Sequence, residues 1–330
     1  MALDDTFTVD YGGQEGTSGA VDALHIEQYG GEVELTIARR SVLENFFPTR
    51  PLRGSSVAIK KAVGSSTLQK VTPGARNDGT KHAKGKNSVD VDTVILARAI
   101  VPILSEFQTD FNHRMALGQE HGKTIAKFHD KTLFTVGIRA ALATSTFYSG
   151  SPTGFSGGSQ VTLAGSTDYQ DPALLYQAIV DLLVKMEKKD VDPVADGVVI
   201  SVRPDEFAVL EQSEFIINKE YITSDGNRLQ GASLLKARGV PVVSSNNFPA
   251  LTNITTGVDV VDLYGSTYEV DASKVIVTAF APKAVLAAET IPLTHKVWWS
   301  DDYLQWCIDS YFANGAAPDR AEWAGAILLP

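Results

Sequence analysis

The stretch ALGQEHGKTIAKF, residues 116–128, places Gly118, Gly122, Lys123 and Thr124 in an order that suggests phosphate chemistry. A phosphate-binding P-loop needs Gly, four residues, then Gly-Lys-Ser/Thr, after a buried strand and at the start of a helix. That geometry turns backbone N–H groups toward an anion. Here only three residues separate the glycines, and the preceding DFNHRM is polar and in helical phase with the residues after it. The spacing argues against a phosphate cradle. Residues i and i+4 share one helix face, so Gly118 and Gly122 are expected to form a flat patch where another backbone comes close. A local kink is the other reading. Each glycine costs about 1 kcal/mol of helix propensity relative to alanine, which implies some packing benefit.

The remaining reactive residues form no catalytic set. Gly74 to Lys81 (GARNDGTK) has Lys and Thr transposed relative to a P-loop and reads as turn chemistry. His113, His121 and His129 recur every eight residues, whereas helical metal sites use i,i+3 or i,i+4 ligands, so structural roles are expected. Cys307 lies in a strand-like run without a histidine nearby in sequence and reads as a small buried hydrophobe. Gly-x-Ser-x-Gly is absent, and the acids Asp190, Asp192, Asp301 and Asp302 fall at element ends. No catalytic residue, metal ligand or cofactor is expected.

The elements that carry these residues can be read from periodicity. Residues 1–20 are polar and glycine-containing, and 21–45 have roughly helical spacing interrupted at Gly30-Gly31. Between 49 and 95, SSVAIKKAV, STLQKV and NSVDVDTVIL are β-prone runs separated by turn residues, which predicts a long hairpin. From 102 to 147 apolar residues step by three or four, from Ile103 to Ala140, predicting an amphipathic helix near 40 residues and about 60 Å long. A Gly/Ser-rich connector spans 149–168. Asp171-Pro172 then opens a capped helix. GVVISV, GVPVVSS and KVIVTAF read as buried strands of an α/β lobe over 171–285, and long extended runs return from 286.

Composition narrows the class. The chain has 330 residues, 44% apolar and 21% charged, with a single cysteine, as expected for a soluble globular protein in a reducing compartment. Its opening lacks the blocks of a signal peptide, and no run approaches the roughly 18 apolar residues of a membrane span. Net charge is −10, against a nucleic-acid reader as the global identity. The charge is unevenly placed. Arg50, Arg53, Lys60, Lys61, Lys70, Arg76, Lys81, Lys84 and Lys86 face only Asp78 in the hairpin segment, while the rest holds 20 basic and 38 acidic residues. A solvated loop or nucleic-acid contact fits that charge, although the segment has no aromatic residue on which bases could stack. The preferred reading is that the segment reaches onto the acidic surface of a second copy of the chain.

The order of these parts resembles the major capsid protein of tailed bacteriophages, the Hong Kong 97-type fold, and within it the coat proteins of short-tailed podoviruses. YGGEVELTIARRSV (29–42) is similar to the family's arm, and RPLRGSSVAIKKAVGSSTLQKVTPG (50–74) to its extended loop. FNHRMALGQEHGKTIAKFHDK (111–131) holds the place of its spine helix. GVVISVRPDEFAVL and ARGVPVVSSNNFP resemble the axial domain, and DSYFANGAAPDRAEWAGAILL (309–329) the closing stretch, with Arg320 and Glu322 near its turn.

The resemblance implies an α+β fold divided into an arm (1–48), an extended β-hairpin loop (49–95) and a peripheral domain with the spine (96–170). An axial domain (171–285) and return strands (286–330) complete it. It implies a non-enzymatic coat protein, assembling as hexamers and pentamers into an icosahedral shell around double-stranded DNA bound without sequence specificity. Scaffolding and portal proteins would be its partners, the host cytoplasm its place of assembly and the virion capsid its destination, with no membrane. Some relatives weld the loop to a neighbour by a lysine–asparagine bond, but no lysine, asparagine and glutamate set aligns here. An encapsulin-type nanocompartment shell and a cytosolic α/β enzyme are the alternatives.

Overall fold

The structure is a computed structural model that describes residues 32–37, 41, 43, 46–71, 73–74, 79, 81–102, 113–212, 236–301 and 303–330. Most of the expected arm, together with Ile103, Phe107, Phe111 and Arg76, lies outside the described residues. The chain forms two compact units. One comprises Met1–Ser41, Asp92–His129 and Thr290–Asn314, the other Val42–Val91, Asp130–Glu289 and Gly315–Pro330. One of their divisions falls inside a helix, at His129/Asp130.

In the first unit residues 32–37 are helical (α1). Strand β4 (Ile95–Pro102) pairs antiparallel with β13 (Gln305–Pro318), from Gln305↔Pro102 to Phe312↔Ile95. The long helix α2 runs from His113 to Leu142, and its first half belongs here. At 30 residues it is about 45 Å long. The expected run from 102 to 147 is cut at both ends, since Pro102 belongs to β4 and the helix stops at Leu142, while 103–112 lie outside the described residues.

The first half of α2 is striped, with Gly118, Gly122, Ile125, Ala126 and Phe128 buried and Glu120, Lys123, Thr124 and Lys127 exposed. The second half, in the other unit, is not: residues 132–138 are all buried. Burial on every side matches its composition, TLFTVGI, which has no charged residue to turn toward water.

The second unit is built on a six-stranded sheet of order β5-β14-β11-β6-β8-β7. Its strands are β5 (Ser159–Thr162), β6 (Val199–Val202), β7 (Lys236–Ala237), β8 (Val240–Ser244), β11 (Val275–Phe280) and β14 (Ala324–Leu328). Central β11 is buried at all six positions, which is why VIVTAF shows no alternation. Helix α3 (Pro172–Glu187) starts where Asp171 accepts from the Ala173 N–H at 2.8 Å, with proline in the first turn. It buries Leu175, Ile179, Leu182 and Met186. Gly325 of β14 leaves room for this helix, since a β-carbon there would stand 2.7 Å from Leu182. Phe134 of α2 meets Phe248 at 5.4 Å and Phe280 at 6.1 Å between ring centres, and Phe47 meets Phe280 at 5.6 Å. The short helices α4 (Pro204–Glu211) and α5 (Asp259–Tyr264) and the antiparallel pair β9 (Thr252–Ile254) and β10 (Val270–Ala272) complete this lobe.

Two sequence expectations change here. The Gly/Ser-rich stretch 149–168 is a packed segment as well as a connector. The Gly158 N–H donates to the Ala143 carbonyl at 2.8 Å, and the Lys189 ammonium donates to the Gly157 and Gly158 carbonyls, each at 2.8 Å. Its small residues reflect close approach to the end of α2 rather than freedom. The hairpin, too, is narrower than 49–95. Thr49–Pro51 (β1) pairs in parallel with Ala287–Glu289 at the start of β12 (Val285–Ser300), and Ile95 belongs to β4.

Candidate functional site

The paired part of the hairpin is β2 (Val57–Val63) and β3 (Lys84–Asp90), antiparallel from Val57↔Asp90 to Val63↔Lys84. Side chains alternate across a strand, so each residue's parity assigns its face. Ala58, Lys60 and Ala62, opposite Val89, Asn87 and Gly85, turn toward the body of the second unit. Val57, Ile59, Lys61 and Val63, opposite Asp90, Ser88, Lys86 and Lys84, form the solvent face. That face is cationic with an apolar edge, because Ile59 and Val63 are 51% and 57% exposed beside three lysines.

The nine predicted basic residues are thus not one group. Lys61, Lys84 and Lys86 share the outer face. Lys70 and Lys81 are exposed between the two strands. Arg50 lies on β1 and Arg53 in the turn after it, both exposed. Lys60 differs in kind. Its ammonium is bonded to the Asp319 carboxylate within the same chain.

Sequence reasoning missed Asp319, which lies just past the end of β13 and is fully buried. One carboxylate oxygen receives Lys60 and the other the Tyr148 hydroxyl. Beside it, the Asn87 side-chain amide donates to the Pro318 carbonyl at 2.7 Å. Tyr148 meets Phe155 edge-on at 5.1 Å, and the Arg320 guanidinium lies 4.2 Å over the Phe155 ring. Burial, reinforced by the bond to Asp319, pushes the Tyr148 hydroxyl well above its usual pKa, so it stays a donor. Burial likewise raises Glu322, whose carboxylate is 3.5 Å from Arg320. Parity along β2 puts Ala58, Lys60 and Ala62 on one face, but no local spacing marks that face as the inner one or names Asp319 as its acid.

The backbone fastens this root further. Ser149 N–H donates to the Lys86 carbonyl at 3.0 Å and Ser65 N–H to the Thr153 carbonyl at 2.8 Å. At Gly85 a β-carbon would stand 2.6 Å from the Ser149 carbonyl oxygen.

The spine glycines belong to the first unit. At Gly122 a β-carbon would stand 2.8 Å from both the Val33 carbonyl oxygen and the Thr36 β-carbon. Gly118 is buried one turn earlier, and between them Gln119 donates to Glu32 at 2.9 Å. Residues 113–142 are continuously helical, so no phosphate loop forms there. His121 and His295 are pushed down mainly by burial, and His295 Nδ1 lies 2.9 Å from the Ser310 hydroxyl. Cys307 is buried. Among the described residues no group of three His, Cys, Asp or Glu is placed to hold a metal ion, and no helix is long and apolar enough to cross a membrane.

No protein-family model and no curated protein matches the chain. Solved structures do. The capsid of the cyanophage P-SCSP1u aligns with a TM-score of 0.74 at 16% identity, over 88% of each chain. The mature capsid of bacteriophage PhiM1 aligns at 0.70 and 21% identity, over 88% of this chain and 87% of that one. A virus-like particle from Pyrococcus furiosus aligns at 0.51 and 12% identity, over 92% and 98%. The fold is that of Hong Kong 97-type capsid subunits.

Proposed function

We propose that this chain is the major capsid protein of a tailed bacteriophage, assembling as hexamers and pentamers into an icosahedral shell around double-stranded DNA. The observation that carries this reading is a fold shared along most of the chain with subunits of phage capsids. The hairpin supports it: an exposed cationic face projects from a chain whose remainder is strongly acidic. Such a face suits an acidic patch on a second copy. The role is structural rather than catalytic, and each weak contact gains strength by repetition over a closed shell. Scaffolding and portal proteins are the further partners this reading implies, with assembly in the bacterial host and the virion capsid as the destination. The acidic body keeps contact with packaged DNA weak and independent of sequence.

Purified protein viewed by negative-stain electron microscopy tests the reading. Shells, or hexameric and pentameric rings, are expected with or without a co-expressed scaffold; monomers or dimers in both conditions would overturn it. The likeness to a virus-like particle keeps a shell with other cargo as the second reading. Absence of nucleic acid from virion-derived shells, with another protein enclosed, would favour it.

A further inference from the structure

We propose that Asp319 is a positioning residue that sets the direction in which the cationic hairpin leaves its own subunit, by holding Lys60 in cis. Asp319 is buried and anchored at both ends. Its own N–H donates to the Ala284 carbonyl at 2.8 Å, and its carboxylate already holds the Tyr148 hydroxyl. Lys60, with 31% of its side chain exposed, is the moving partner. On the inner face of β2 its companions are Ala58 and Ala62, whose side chains cannot hydrogen-bond. Among the described residues, the side-chain polar link of β2 across that face is therefore this one ion pair, beside the buried packing of Ala58.

Strand β3 is held differently, through the Asn87 amide to the Pro318 carbonyl and through Lys86, whose carbonyl accepts from the Ser149 N–H and whose N–H donates to the Ser149 hydroxyl. The two anchors converge on adjacent residues, Pro318 and Asp319. A paired hairpin gripped on both strands at neighbouring points has its pitch determined there, and the Ser65 N–H bond to the Thr153 carbonyl holds the chain just beyond β2. Lys60 is consequently committed within the subunit, and on the paired strands Lys61, Lys84 and Lys86 are the lysines left to face a second copy. Preorganising the hairpin lowers the ordering cost of each contact in which it takes part.

This inference rests on the assembly reading only for its second readout. In the unassembled full-length subunit, hydrogen exchange reads the grip directly. Lys60→Met and Asp319→Asn are each expected to raise amide exchange at 57–63 and 84–90 at least roughly tenfold, with α3 and β11 unchanged. Lys61→Glu should leave exchange at those strands as in the parent. Should Asp319→Asn fail to fold, Lys60→Met alone carries the test, since it leaves the buried cluster's other bond in place. Unaltered exchange in β2 and β3 of Lys60→Met would overturn the proposal. In the assembly arm, Lys60→Met should slow shell formation at least threefold while Lys61→Glu weakens it salt-dependently; identical salt-dependent effects of both would place Lys60 in the intersubunit contact instead. If the parent protein forms no shells, the assembly reading fails while the exchange result still decides the grip.

Discussion

Gly122 and Val33 are separated only by the absence of a side chain: a β-carbon on Gly122 would lie 2.8 Å from the Val33 carbonyl oxygen. That oxygen belongs to the backbone of a helix and cannot swing aside as the end of a flexible side chain could. Alanine would gain about 1 kcal/mol of helix propensity at this position. Overpacking against backbone costs about 1–3 kcal/mol. Gly122→Ala is therefore expected to destabilise the protein by up to about 2 kcal/mol net in denaturant melts, and a stabilised variant would refute the close-packed reading.

Acid should weaken the protein in two stages. Burial, the largest influence, holds His121 and His295 below the ordinary histidine value of about 6.5, against the pull of Asp309 and Glu120 on the first and Glu34 on the second. Between the folded and unfolded values the unfolded chain binds more protons, so stability is full above about pH 6.5 and falls as pH drops through that window. Asp309 acts lower. Burial pushes its carboxyl up, but the bonds from Arg98 at 2.7 Å and Trp298 at 2.9 Å outweigh this and hold it below the usual value near 3.9. Its contribution is present above about pH 3.9 and disappears as pH falls through the folded value. Denaturant midpoints from pH 8 to pH 3 should show both declines, and His295→Gln should flatten the first.

Charge reversal on the hairpin's outer face tests its destination. Lys61→Glu, Lys84→Glu and Lys86→Glu together should leave the melting temperature of the subunit within a few degrees while slowing assembly, because exposed charges contribute little to folding but steer encounter. Light scattering should also show parent assembly weakening as salt rises and the Debye length falls below about 8 Å. Equal assembly of parent and triple variant at low and high salt would exclude the electrostatic docking of this face.

Phe134→Ala should cost about 3–5 kcal/mol, since Phe134 is fully buried between Phe248 and Phe280. The loss should appear as a lower urea midpoint with unchanged slope. A cost below about 1 kcal/mol would mean that this aromatic cluster is not the core of the second unit.

Much of this organisation is legible along the chain, and the places where it is not are specific. Local signals found the 172–187 helix, because the capping side chain of Asp171 and the proline at 172 act within one turn. They found β11, because an apolar run broken only by Thr278 suits a strand buried on both faces. Helical phase showed that Gly118 and Gly122 sit on a helix, since three intervening residues match one turn and not a phosphate loop. Composition misread 149–168 as merely a connector, because glycine means either freedom or close approach, and only the neighbouring carbonyls of α2 tell which.

By itself the sequence determined the helical and extended segments, the expected fold class and the concentration of positive charge between residues 50 and 87, since each depends on periodicity or count. What only tertiary structure decided is where that charge goes. Lys60 and Lys61 are adjacent and chemically identical, yet the strand pleat sends one to Asp319, 259 residues away, and the other to solvent. Parity along β2 could separate their faces, but the identity of the inner face and its buried acid come from long-range pairing that no local pattern encodes.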